Sequence, residues 1–155
     1  MSVDTQRSIT TNLRNRVHPN CVVCSLENAK GLHLEFVSGY DGIISATFSC
    51  DEAFEGYMGF LHGGVISSIL DGAMGHCIFA RGQAVVTVEM ATRFRHPVVI
   101  HQEASVSARI ERSFHPLYLL EAQIVQAGQV KATATGKFLD QPQLLIQSRR
   151  PNIIS

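Results

Sequence analysis

The residues best suited to chemistry in this chain are one carboxylate and a pair of glycines. From Val65 to Ala80 the sequence reads VISSILDGAMGHCIFA, and Asp71 is its only charged side chain with His76 taken as neutral. A buried, unpaired carboxylate is costly, so it persists only with partners or a task. Just ahead stand His62, Gly63 and Gly64. Two glycines at the start of a helix present bare backbone N–H groups. A carboxylate set against such donors has the outline of an acyl-transfer site.

These residues need a helix to carry them, and the pattern supplies one. Val65, Ile66, Ile69, Leu70, Ala73, Met74, Cys77 and Ile78 recur at helical spacing, which predicts a helix from about Gly63 to Arg81. It is almost wholly apolar and so should be buried on most sides. Arg81 and Gly82 mark its end.

Strands flank it. Gly31 to Val37 alternates Leu32, Leu34 and Phe36 against His33 and Glu35, and Gly39 to Gly42 is a turn leading to a second strand, Ile43 to Ser49. After the helix, Ala84 to His96 alternates Val86, Val88, Met90, Thr92 and Phe94 against Thr87, Glu89, Arg93 and Arg95. Three further strands follow: Glu103 to Phe114, then Tyr118 to Gln126 and Val130 to Leu139 as a hairpin. One sheet and one apolar helix predict an α+β fold, an antiparallel sheet wrapped around a long central helix. The expected organisation is an arm over 1–20, one domain over 21–140 and a tail over 141–155. The arm is polar, with a short helix or no fixed structure, and the tail from Gln141 has no assigned element.

Composition narrows the class. The chain has 155 residues, enough for one domain with a real core. Charged residues are only 17% against 45% hydrophobic, so much of the surface should be buried in an oligomer. Net charge is zero, which is not the footprint of a nucleic-acid binder. No apolar run reaches membrane-spanning length, and the first residues lack the apolar core of a signal peptide, so a cytoplasmic protein is expected. Its four cysteines should then be reduced. Cys21-x-x-Cys24 is half of a zinc-ribbon signal with no second CxxC or HxxxH after it, so no metal site is expected. The seven histidines look scattered, without ligand spacing.

The segment HGGVISSILDGAMG followed by VTVEMATRFRHPV resembles the hotdog-fold acyl-CoA thioesterases of the PaaI type. The N-terminal CxxC and the GLHLEF stretch are similar to one branch of that family. The resemblance spans about Cys21 to Leu139. It implies a hotdog fold, a dimer that often pairs into a homotetramer, and an acyl-CoA substrate, without metal or redox cofactor. It implies that Asp71 is the general base or nucleophile, that the Gly63 N–H polarises the thioester carbonyl, and that His62 holds the loop. Thr87 matches a Ser/Thr that positions water. Several members carry Asn six residues before the His, where this chain has Gly56; the missing amide bears on water positioning or on His62.

Geometry adds a constraint of its own. Gly64 and Asp71 share a helix face but sit about 10 Å apart along the axis. Groups acting on one carbonyl carbon must come within about 3 Å of the reacting atoms. Both can serve one site only if they come from different subunits, one giving Gly63 and the other Asp71. Gly56, Gly64 and Ser68, the last near Asp71, are candidate substrate contacts. Arg93, Arg95, His96, Arg109 and Arg112 are candidate partners for the phosphates of CoA. Cys77 and His76 cannot form a nucleophile pair, because adjacent helical residues do not face each other. The competing readings are a non-catalytic acyl-CoA-binding module and a hotdog enoyl-CoA hydratase or dehydratase. The latter needs a His as acid/base on or beside the helix, where His62 precedes it.

Overall fold

A computed structural model describes Ser2 and residues 11–147. Helix α1 covers the described residues 11–17. Then come β1 (Val37–Ser38), β2 (Ile44–Phe48), a 3-10 turn (Glu52–Phe54), α2 (Gly63–Phe79), β3 (Val85–Phe94), β4 (Ala104–Phe114), β5 (Leu117–Gln126), β6 (Gln129–Asp140) and α3 (Pro142–Gln147). The six strands form one antiparallel sheet in the order β1-β2-β4-β5-β6-β3. β3 follows α2 in the chain yet lies at the far edge, beside β6.

The sheet curves around α2, as the unbroken apolar run predicts. α2 packs against β2, β3, β4, β5 and β6. Ile69, Leu70, Met74 and Ile78 are fully buried. Each contributes roughly 1.5–3 kcal/mol by leaving water. The facing strands carry small residues, Ala108, Ala122, Ala132 and Ala134 among them, which let the helix approach closely. Gly136 serves the same end: a Cβ there would lie 3.2 Å from Met74 Sδ and 2.7 Å from the Phe138 ring.

Two expectations are corrected. The Gly31–Val37 strand is mostly absent: only Val37 and Ser38 pair, with Ser45 and Ile44. His33 takes φ +55°, which breaks the extended run, and the N–H groups of Leu32 and Leu34 turn to the carbonyls of Val22 and Val23. The apolar alternation survives, since Leu34 is buried and Phe36 packs on the core. The second correction is the register of β3. Thr87 pairs with Phe138 and Glu89 with Lys137, so Val88 is an extra, bulged residue. A one-residue insertion exchanges the faces of everything beyond it. Thr87 therefore shares the inner face with Met90 and Phe94, not the face of Glu89, Arg93 and Arg95. The short helix allowed for the N-terminal segment is α1, whose Leu13 is buried with Phe79 and Ala84, against Leu144 and Leu145 of α3. The expectations for residues 1, 3–10 and 148–155 lie outside the described residues. Among the described residues no helix is long and apolar enough to cross a membrane.

Candidate active site

α2 begins with a side-chain cap. His62 is extended, and its Nδ1 accepts from the Gly64 N–H at 2.9 Å. The His62 carbonyl accepts from Val65 and Ile66. Among the described residues no group accepts from the Gly63 N–H, which is left at the positive end of the helix dipole. A Cβ at Gly63 would be 3.5 Å from the Phe94 ring, so this donor lies beside the end of β3. His62 thus consumes one of the two glycine donors and leaves the other.

Two turns further on, the half-buried Asp71 accepts a hydrogen bond from Thr87 Oγ1 at 2.6 Å. The bulge at Val88 makes this contact, because it turns Thr87 inward. Burial raises the Asp71 carboxyl above its ordinary value, while the Thr87 hydroxyl works in the opposite direction. A carboxylate with one oxygen held and a raised pKa is suited to taking a proton near neutral pH. Gly63 and Asp71 are eight residues apart on α2, about 12 Å along its axis, so one chain does not bring them to a common reacting atom.

The other candidates separate into two groups. Gly56 lies against His62: a Cβ there would be 3.2 Å from His62 Cα and 3.3 Å from its ring. Any side chain at position 56 would therefore bear on the imidazole. Ser68 Oγ donates to the Gly64 carbonyl at 2.9 Å, one turn back on its own helix. Arg93 and Arg95 are turned away from Asp71. With Arg109 they line an open concavity of about 700 Å³ on the outer face of the sheet. Arg109 is already paired there with Glu121, at 2.5 Å. His96 and Arg112 are exposed. His76 and Cys77 bond separately to the carbonyls of Gly72 and Ala73, as their adjacent positions on a helix require.

Two groups stand out in the structure but not in the sequence. His76 is 3% exposed and its Nε2 has no partner among the described residues, although its position in an apolar stripe reads as ordinary core. His18 joins Cys21 and Cys24, with donor atoms of all three within 4.8 Å of one another. The signal is the spacing HxxCxxC, in which the histidine precedes the cysteines, whereas the second half of a zinc ribbon would follow them.

A sheet curled about one long helix, with the candidate groups strung along that helix beside an edge strand, defines the hotdog class. The sequence pattern of the thioesterase superfamily matches residues 58–133, from the loop before α2 into β6. Three solved structures show the same fold. The PaaI protein of the E. coli phenylacetic acid degradation operon has a TM-score of 0.73 at 18% identity, over 90% of this chain and 96% of that one. A thioesterase superfamily protein, RHA08564, has a TM-score of 0.72 at 24% identity, over 76% of this chain. The chain spans only 61% of that protein's length. A Streptococcus mutans protein bound to acetyl CoA has a TM-score of 0.65 at 19% identity, over 70% of this chain and 88% of that one. The chain is thus similar to the thioesterase superfamily over about half of its length, and its fold is that of the hotdog thioesterases.

Proposed function

We propose that this protein is an acyl-CoA thioesterase whose active site is shared between two copies of the chain. The observation that carries the reading is the pairing along α2 of an unpartnered Gly63 N–H with a half-buried Asp71 held by Thr87. The S. mutans neighbour, bound to acetyl CoA, supports a CoA thioester as substrate. Asp71 of one copy takes a proton from water as the water oxygen attacks the thioester carbon. The carbonyl electrons move onto oxygen, which rests on the Gly63 N–H of the other copy. The C–S bond then breaks and the CoA sulfur recovers the proton from Asp71. One such donor is worth roughly 3–4 kcal/mol in the transition state. Asp71 acting first as nucleophile would use the same two groups.

The β3 edge supports the pairing of copies. Val88 and Phe94 are 53% and 57% exposed there, and β3 has a free side in the sheet order. Two such edges meeting about a two-fold axis bring the partner's site elements alongside. The unit 21–140 carries the site, and a homotetramer of paired dimers is part of the proposal. Arg93 and Arg95 serve the phosphates of CoA, reached across the outer face.

The test is thiol release from short, long and aryl acyl-CoAs by wild type and Asp71→Asn. The reading requires kcat to fall at least about a hundredfold in the variant. Asp71 is held against the cost of burying its charge, and that cost applies above the ordinary carboxylate range, where the unfolded group is ionised. Asp71→Asn should therefore melt at the same temperature as wild type at pH 7, or higher. Tight acyl-CoA binding without turnover by the wild type would instead select the binding module.

A further inference from the structure

The turn after α1 holds three metal-ligating side chains that the proposed reaction does not use. His18 and Cys21 are half-buried, Cys24 is buried, and their donor atoms lie within 4.8 Å of one another. His18 Nδ1 is 3.8 Å from Cys24 Sγ. A tetrahedral zinc ion, with Zn–S near 2.3 Å and Zn–N near 2.0–2.1 Å, sets its donors about 3.6–3.8 Å apart. The triangle needs only small side-chain movements to match. Its shape comes from the backbone. The Cys21 N–H donates to the His18 carbonyl at 3.4 Å, and the Ser25 N–H to the Cys21 carbonyl at 3.0 Å, so two successive turns bring the donors together. The Val23 N–H donates to Cys21 Sγ at 3.4 Å, the kind of outer contact that orients a metal ligand.

We propose that His18, Cys21 and Cys24 form a binding site for a soft divalent cation, zinc by its donor set, with the fourth position left to solvent or an exogenous ligand. One nitrogen and two sulfurs select zinc over the hard cations. The ion clamps the N-terminal turn onto α2. Val23, between the two cysteines, rests on Gly72, where a Cβ would be only 2.8 Å from Val23 Cγ1. His18 meets Phe79 edge-on at 4.8 Å. The clamp therefore covers the helix turn that carries Asp71 without entering the chemistry, and the proposal stands apart from the thioesterase reading.

The test uses the full-length protein. Metal analysis of protein purified without chelator should find close to one zinc per chain. After stripping, titration with Co²⁺ should raise a thiolate-to-cobalt charge-transfer band that zinc then bleaches. Cys21→Ser, which leaves only the Cys24 thiolate, should weaken the band. It should weaken zinc binding by more than the roughly 10–100-fold that loss of an outer contact costs. His18→Ala should shift the band and weaken binding. Cys50→Ala and Cys77→Ala, outside the cluster, should keep the band. Cys21→Ser and His18→Ala, at half-buried positions and checked for native circular dichroism, carry the test. A wild type that binds no cobalt, or a band of undiminished intensity in folded Cys21→Ser, would overturn the site.

Discussion

The two edges of the sheet are built in opposite ways. At the β1 edge the chain finishes the job itself. β1 is two residues long, and the segment before it folds back so that Phe36 lies over His76, with ring centroids 4.2 Å apart. So short an edge has little to offer another chain. At the other edge β3 is ten residues long and carries the exposed Val86, Val88 and Phe94. Long apolar edges are normally blunted unless they have a use. Thr87, which holds Asp71, and Phe94, which lies beside Gly63, both belong to β3. The difference teaches that this fold is self-sufficient on one side only. Its candidate chemistry lies on the side left open.

The largest effect should come from closing the open edge. Val88→Lys puts a charge at the bulge, and we expect gel filtration to show monomers and thiol release to fall at least about a hundredfold, as the two halves of the site separate. Val37→Lys, on the two-residue edge strand, should change neither. Equal effects from the two substitutions would erase the distinction.

Thr87→Val tests the same edge from inside. It removes a hydrogen bond to a charged acceptor, worth about 1.5–3 kcal/mol, so kcat should fall about 10–100-fold. That bond favours the ionised Asp71. Without it the carboxyl holds its proton to higher pH, so the acid limb of kcat/KM should move upward. An unmoved limb would separate Thr87 from the carboxylate's function.

The smallest effect belongs to His76, on which the segment before β1 packs. Burial lowers the His76 pKa from 6.5 to about 4, against the pull of the Gly72 carbonyl. The folded state keeps this imidazole neutral while the unfolded chain protonates it. Its contribution is therefore complete above pH 6.5 and is lost as pH falls towards 4. His76→Leu should flatten that part of the profile of Tm against pH, with thiol release at neutral pH retained.

Much of this fold is legible in the residues themselves. α2 is announced by an apolar run with a single charge, and the alternation in β4, β5 and β6 is clean because one face of each meets the helix. The register of β3 is hidden, since Val88 bulges without a glycine to mark it, and strict alternation places Thr87 on the wrong face. β1 shrinks because His33 leaves the extended region, which nothing in an alternating pattern reveals. At the site, the carboxylate stands out by its surroundings. The His62 cap, which leaves Gly63 rather than Gly64 with a bare donor, depends on how the imidazole ring is turned. The triangle of His18, Cys21 and Cys24 depends on two successive turns that no periodicity in the segment announces.

The shared site is the central claim, and mixing two inactive variants tests it most directly. Asp71→Asn lacks the carboxylate. Gly63→Pro lacks the N–H at the first helical position, where proline is tolerated, and the extended His62 suits a following proline. If Asp71 and Gly63 of different copies meet, each mixed dimer regains one intact site. Random re-association should then restore about a quarter of wild-type thiol release. If both groups act within one chain, every site in the mixture keeps a defect and the mixture stays as inactive as its components, which would contradict the account.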